Sequence, residues 1–245
     1  MLKLIKLGLV FLSLSFGLLS VQAHDNTNVT AYRVTTLRAM PGAWVELKAL
    51  IEAQGEAGTH GEDRRFAPFR LRHSQGDHWD FMLIQALDDF RIPLPDTPEM
   101  AADKAFKTKV AKLVDFSEEW FVEGPHLDEL LKAFDGAGLY HIEMFRSKAG
   151  AHDALLKQRQ DENQYLKATG QIENKIFTAI AGADWDVMTI GFHESLKSFA
   201  ADAPATNAEK DKAARDAGFD GTSDLAPFLR NLLVGHNDTL AVAMD

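Results

Sequence analysis

The chain repeats itself, and that repetition restricts its fold more than any other feature. The stretch GDHWDFMLI, from Gly76 to Ile84, returns as GADWDVMTI, from Gly182 to Ile190, with the Trp-Asp pair in the same place. Upstream, AYRVTTLRAMPGAWVEL from Ala31 aligns with LYHIEMFRSKAGAHDAL from Leu139, matching Tyr32 with Tyr140, Arg38 with Arg146, Gly42 with Gly150 and Leu47 with Leu155. Downstream, KLVDFSEEWFVEG from Lys112 aligns with NLLVGHNDTLAVA ending at Ala243, matching Leu113 with Leu233 and Val122 with Val242. Three matches in one order define a tandem duplication. The seam falls near FDGAG, Phe134 to Gly138, giving repeats over 24–134 and 135–245 behind a leader at 1–23. The second copy is longer between Ser198 and Asp224, a polar, Ala-rich stretch read as a solvated helix or a lid.

Each copy has the same order of elements. VTAYRVTTLR and GLYHIEMFR alternate and are rich in β-branched or aromatic residues, the pattern of a strand. PGAWVELKALIEAQGEAG and KAGAHDALLKQRQDENQYLKATG follow as helices, the second stopping at Gly170. Two strands come next in each copy, FAPFRLRHS with HWDFMLIQAL and NKIFTAIAG with DWDVMTIGFH, turning at Gly76 and Gly182. A helix follows (PEMAADKAFKTKVAKLVDF, then DLAPFLRNLLVG) and a last strand closes the copy (EEWFVEG, then DTLAVAM). The order is β-α-β-β-α-β, twice.

That order is the ferredoxin-like split βαβ unit, whose sheet carries both helices on one face and leaves the other bare. Two such units in one chain cover their bare faces by packing sheet to sheet. The chain therefore resembles the dimeric α+β barrel superfamily in a fused, pseudo-dimeric form. The resemblance rests on element order and duplication over nearly all of the chain after its leader. It implies an α+β fold and a small-molecule pocket, and the superfamily spans cofactor-independent monooxygenases, haem enzymes of the chlorite dismutase type and members without known activity. Fold alone does not choose among these.

The amino terminus reads as a cleavable secretory signal. MLKLIK supplies two lysines, LGLVFLSLSFGLL an apolar run of signal length, and SVQA a small-x-small cleavage pattern after Ala23. The run falls short of the roughly 20 apolar residues of a membrane span. Export to the periplasm is the expected destination, and the chain after cleavage is expected to leave the membrane. With no cysteine there is neither a lipid anchor nor a disulfide, so the core must hold the fold unaided. The net charge is −10, and loss of Lys3 and Lys6 makes it more negative, which disfavours nucleic acid as a partner. The expected partner is a small organic molecule, on a monomeric pseudo-dimer or a homo-oligomer.

A feature present in both copies is explained by the shared scaffold, so the Trp-Asp pairs are read as structural. Function should lie where the copies differ. In YHIEMFR the residues His141 and Glu143 lie on one strand face, opposite Tyr140, Ile142 and Met144. On the expectation that the apolar face meets the helices, His141 and Glu143 face the space between the sheets, with Arg33 and Thr35 at the matching positions of the first copy. There an imidazole and a carboxylate would serve as a base and its orienting partner or as a proton relay, or else His141, Glu143 and Arg33 would form a buried polar network or lie on a solvated rim. Arg70 and Arg72 share a face where the second copy has Ile176 and Thr178, and His73 replaces Ala179; these arginines would bind an anionic group or sit on a charged edge strand.

The nine histidines show no H-x-x-x-H or H-x-H spacing, so no metal site is expected. No cofactor is expected either, although His141, His193 and His236 could each serve haem, and His24, as a new amino terminus, could chelate copper. There is no nucleophile elbow, phosphate loop or dinucleotide fingerprint. The readings left open are an oxygenase or isomerase working without a cofactor on a small, anionic organic molecule, a non-enzymatic binding protein, and a haem-binding member of the superfamily.

Overall fold

The computed structural model describes residues 29–57, 68–87 and 98–244; the leader and His24 lie outside the described residues. The first half runs β1 (Val29–Ala39), α1 (Trp44–Ala57), β2 (Phe69–Gln75), β3 (Phe81–Leu87), α2 (Pro98–Val110) and β4 (Val114–Pro125). After α3 (Leu127–Phe134), the second half runs β5 (Leu139–Ser147), α4 (His152–Ala168), β6 (Lys175–Ala181), β7 (Val187–His193), α5 (Leu196–Phe199), α6 (Asn207–Asp216), α7 (Leu225–Leu232) and β8 (Leu233–Ala243). Among the described residues, eight strands close into one antiparallel barrel in the order β1-β3-β2-β8-β5-β7-β6-β4. Each half thus contributes a four-stranded sheet with its first strand central, and the halves meet where β2 pairs with β8 and β4 with β6.

Strand alternation sends Tyr32 and Val34, and likewise Tyr140, Ile142 and Met144, into the barrel, where they join one buried cluster. Aromatic rings lock the halves together across that interior. Tyr32 meets Phe177 edge-on at 5.7 Å, and Trp120 meets Trp185 at 5.3 Å. Gly124 is required by this crowding, because a Cβ there would stand 2.4 Å from the Phe177 ring. α3 closes one barrel end with Leu130 and Phe134, the latter stacked on Phe69 at 4.1 Å. The interior is therefore a packed core, not the ligand chamber expected between the sheets.

The repeated motif builds the opposite end. Trp79 and Trp185 are buried in the core, and each following aspartate ties down the end of a central strand. The Asp80 carboxylate accepts the Ala39 amide at 2.7 Å while its own amide donates to the Leu37 carbonyl at 2.8 Å. The Asp186 carboxylate accepts the Ser147 amide at 2.7 Å, and its amide donates to the Phe145 carbonyl at 2.8 Å. The glycine opening each motif has positive φ, 121° at Gly76 and 83° at Gly182. A Cβ at either would run into a backbone carbonyl of the other half, that of Asp238 at 2.2 Å or Glu119 at 2.6 Å.

Several elements differ from expectation, among them α3, which the expected order lacks. The second helix of the first half stops at Val110, not Phe116, because residues from Val114 pair along the whole of β1. β8 begins at Leu233 for the same reason, following β5. The stretch after Ser198 carries the last residue of α5 and all of α6, and Ala213, Ala214 and Ala217 are buried there, with Phe219 and Tyr165 in the cluster between α6 and α4.

Candidate functional site

The helix-covered outer faces of the two sheets differ, and the difference defines the sites. Under α2 the first half holds a cavity of about 320 Å³. Leu37 and Leu83 of the sheet and Phe106 and Val110 of α2 give it apolar surfaces below and above, and Arg33, Gln85, Asp103, Lys107 and Glu119 give it a polar wall. The wall is internally neutralised. Arg33 forks onto Asp103 at 2.9 and 3.0 Å and approaches Glu119 at 3.8 Å, while Lys107 sits 2.7 Å from Glu119. Burial would push the Asp103 carboxyl up, but Arg33 and Lys107 outweigh it and hold it below the ordinary value. Such a carboxylate is a weak base.

The equivalent face of the second half is filled by charge. Glu143 lies directly across from Asp238 on β8, and His141 Nε2 is 2.6 Å from the Asp238 carboxylate. Glu143 accepts from the Thr189 hydroxyl at 3.2 Å and lies 3.7 Å from Arg159 of α4. Arg159 is buried over the Phe145 ring at 4.7 Å and also pairs with Gln158 and Glu162. Burial keeps the Glu143 carboxyl above its usual value despite Arg159 and His141. Burial works against a charged His141, yet the bond to Asp238 and the charge of Glu143 lift its pKa above the ordinary one.

This corrects the expected orientation. His141 and Glu143 come together but point away from the barrel interior, beneath α4; Arg33 points out beneath α2. The strand alternates as expected, but its faces are reversed, because the space between the sheets is the main apolar core and the helices supply the polar partners. A signal for this lies in α4, whose KQRQDENQ run is too polar to cover an apolar sheet. Arg70 and Arg72 also share the outer face, opposite Leu83 and Phe81, with Arg70 donating to the Glu52 carbonyl at 3.0 Å. His73 points the other way, against Trp79 at 5.4 Å, where burial lowers its pKa. The four residues expected to bind substrate therefore do not converge: Arg33 alone lines the cavity.

The sequence matches no family profile and no curated protein. Solved structures share its architecture. A protein proposed to be a monooxygenase, from Fusobacterium nucleatum, superposes with a TM-score of 0.55 at 10% identity over 89% of this chain and 94% of its own. An anthrone oxidase-like protein gives 0.53 at 12% identity, over 89% and 92%. A protein proposed to be a chlorite dismutase gives 0.51 at 8% identity, over 89% and 96%. Identities this low establish the fold alone. The fold is an α+β barrel with both of its halves in one polypeptide.

Proposed function

We propose that this is an exported binding protein of the α+β barrel fold that holds a small, uncharged organic molecule in the cavity beneath α2. The cavity carries the reading: about 320 Å³ is at the lower end of the roughly 300–1,000 Å³ of small-molecule sites, with apolar surfaces and a few polar groups to orient the ligand. Because Arg33 and Lys107 are matched by Asp103 and Glu119, an anionic ligand would have to break existing ion pairs. Gln85, Thr35 and Ser117 offer neutral hydrogen bonds instead. The structural neighbours named as monooxygenase and anthrone oxidase-like support an organic ligand, and the Lys-flanked apolar leader supports export.

An oxygenase or isomerase would need a base in the cavity. Neither His141 nor Glu143 lines it, and Asp103 is engaged by Arg33. Among the described residues, the lining has none of the His, Cys, Met or Tyr side chains that ligate haem iron, which favours an organic ligand over haem there. The test is native mass spectrometry with an absorption spectrum on protein purified from its own host. One bound organic mass is expected, released in Val110→Trp, whose indole fills the cavity, with the amino terminus at His24. A Soret band, or the same mass retained in Val110→Trp, overturns the reading.

A further inference from the structure

We propose that His141, Glu143 and Asp238 form a binding site for one divalent transition-metal ion on the outer face of the second half. One ligand atom from each of these residues lies within 4.8 Å of the others. Ligands on opposite sides of an ion with bonds of about 2.1 Å stand about 4.2 Å apart, so a small side-chain rotation completes the set. The three come from two neighbouring strands in fixed register, His141 and Glu143 sharing a face of β5 and Asp238 lying opposite Glu143 on β8. Rigid strands hold such a constellation better than loops do.

Charge argues for a cation. Like charges directly across a strand pair are destabilising, yet Glu143 and Asp238 are paired in this way. The first half avoids the conflict, placing Thr35 opposite Glu119 and supplying Arg33 and Lys107. In the second half the facing groups are Arg159 and Glu162 from α4, His193 from β7 and His236 from β8. Arg159 lies against both Glu143 and Glu162 and offsets one of the three carboxylates. A ligating imidazole gives up its proton, so two negative charges among Glu143, Glu162 and Asp238 remain, and a divalent ion balances both.

A second observation points to the same place. His193 Nδ1 is buried and has no hydrogen-bond partner among the described residues. Gly191 stands opposite His141, and the His193 ring folds back over it, with Nε2 3.0 Å from where a Cβ on Gly191 would be. Phe199 packs against both imidazoles, at 5.0 Å from His141 and 5.1 Å from His193. The asymmetric insertion after β7 thus covers a pair of histidines that the first half lacks. Asp238 keeps 57% of its side chain exposed, which leaves a path for the ion and for water ligands.

One nitrogen and two carboxylates suit manganese, iron, cobalt or zinc, whereas calcium and magnesium favour all-oxygen sets and copper(I) favours sulfur. The sequence hides the site because its ligands lie 97 positions apart and not at helical spacing. The test titrates full-length chain, freed of metal with EDTA, with Zn2+ by calorimetry and with Co2+ by visible absorption. One ion per chain is expected, with cobalt bands in the visible. Glu143→Gln and Asp238→Asn should each weaken binding at least tenfold and remove those bands, while His126→Gln, at the start of α3, should change neither. Asp238 is exposed enough that its variant folds, so a failure of Glu143→Gln to fold does not blunt the test. No stoichiometric binding, or binding that Asp238→Asn weakens by less than tenfold, overturns the proposal.

Discussion

At the scale of single residues, the chain separates what both halves need from what one half uses. Trp79 and Trp185 each fill the barrel end, so Trp79→Ala or Trp185→Ala should destabilise the fold by about 3–5 kcal/mol in denaturant unfolding. Equal melting to wild type for both would deny the motif its structural role. Arg159 is the buried partner of Glu143, and Arg159→Met should cost about 3–5 kcal/mol by stranding that carboxylate. Adding Glu143→Gln to Arg159→Met should recover much of the loss, and a double-mutant cycle measures the coupling. The importance of the Trp-Asp pair was legible because self-comparison marks it. The direction of His141 was not, since alternation tells which residues share a face and not which face is inside.

At the scale of elements, α2 acts as the roof of a cavity through the fork between Arg33 and Asp103. The Asp103 pKa lies below its unfolded value of 3.8, so the ionised group stabilises the fold above that pH, and the contribution fades as pH falls through the lower folded value. Asp103→Asn should therefore melt lower than wild type at neutral pH, with the gap closing below about pH 3.8. A pH-independent gap in calorimetry would rule this out. Helix α3 shows what element reading missed. Leu127, Leu130, Leu131 and Phe134 recur at helical spacing after His126, whose side chain accepts from the Asp128 amide. The pattern was visible, but it lay at the duplication seam and has no counterpart in the other copy to draw attention to it. The ends of β4 and β8 were misplaced for a different reason, since their length comes from pairing with β1 and β5, which no local window contains.

At the scale of the whole molecule, the two short seams decide whether the barrel closes. Gly76→Ala and Gly182→Ala each place a methyl group against the opposite half's backbone on top of an unfavourable φ, so each should cost about 2 kcal/mol or more. The loss should show as faster unfolding if the seams open first; destabilisation no larger than that of Gly42→Ala, where a Cβ meets nothing within 4 Å, would count against tight seams. The overall architecture was readable because eight strands and their order follow from periodicity and duplication. The empty space under α2 was not, because a cavity is set by how far two elements stand apart.

Joining the halves also changes what mutation can do. In a true homodimer every substitution appears twice, at symmetry-related places, so hollowing one helix-covered face hollows both and a carboxylate placed beneath one helix is placed beneath its twin. A single chain carries each change once. Here one face has become a neutralised hollow and the other a crowd of imidazoles and carboxylates, while the Trp-Asp ends stay paired. Covalent linkage has released this barrel from its two-fold axis, leaving each half free to specialise while the other preserves the frame.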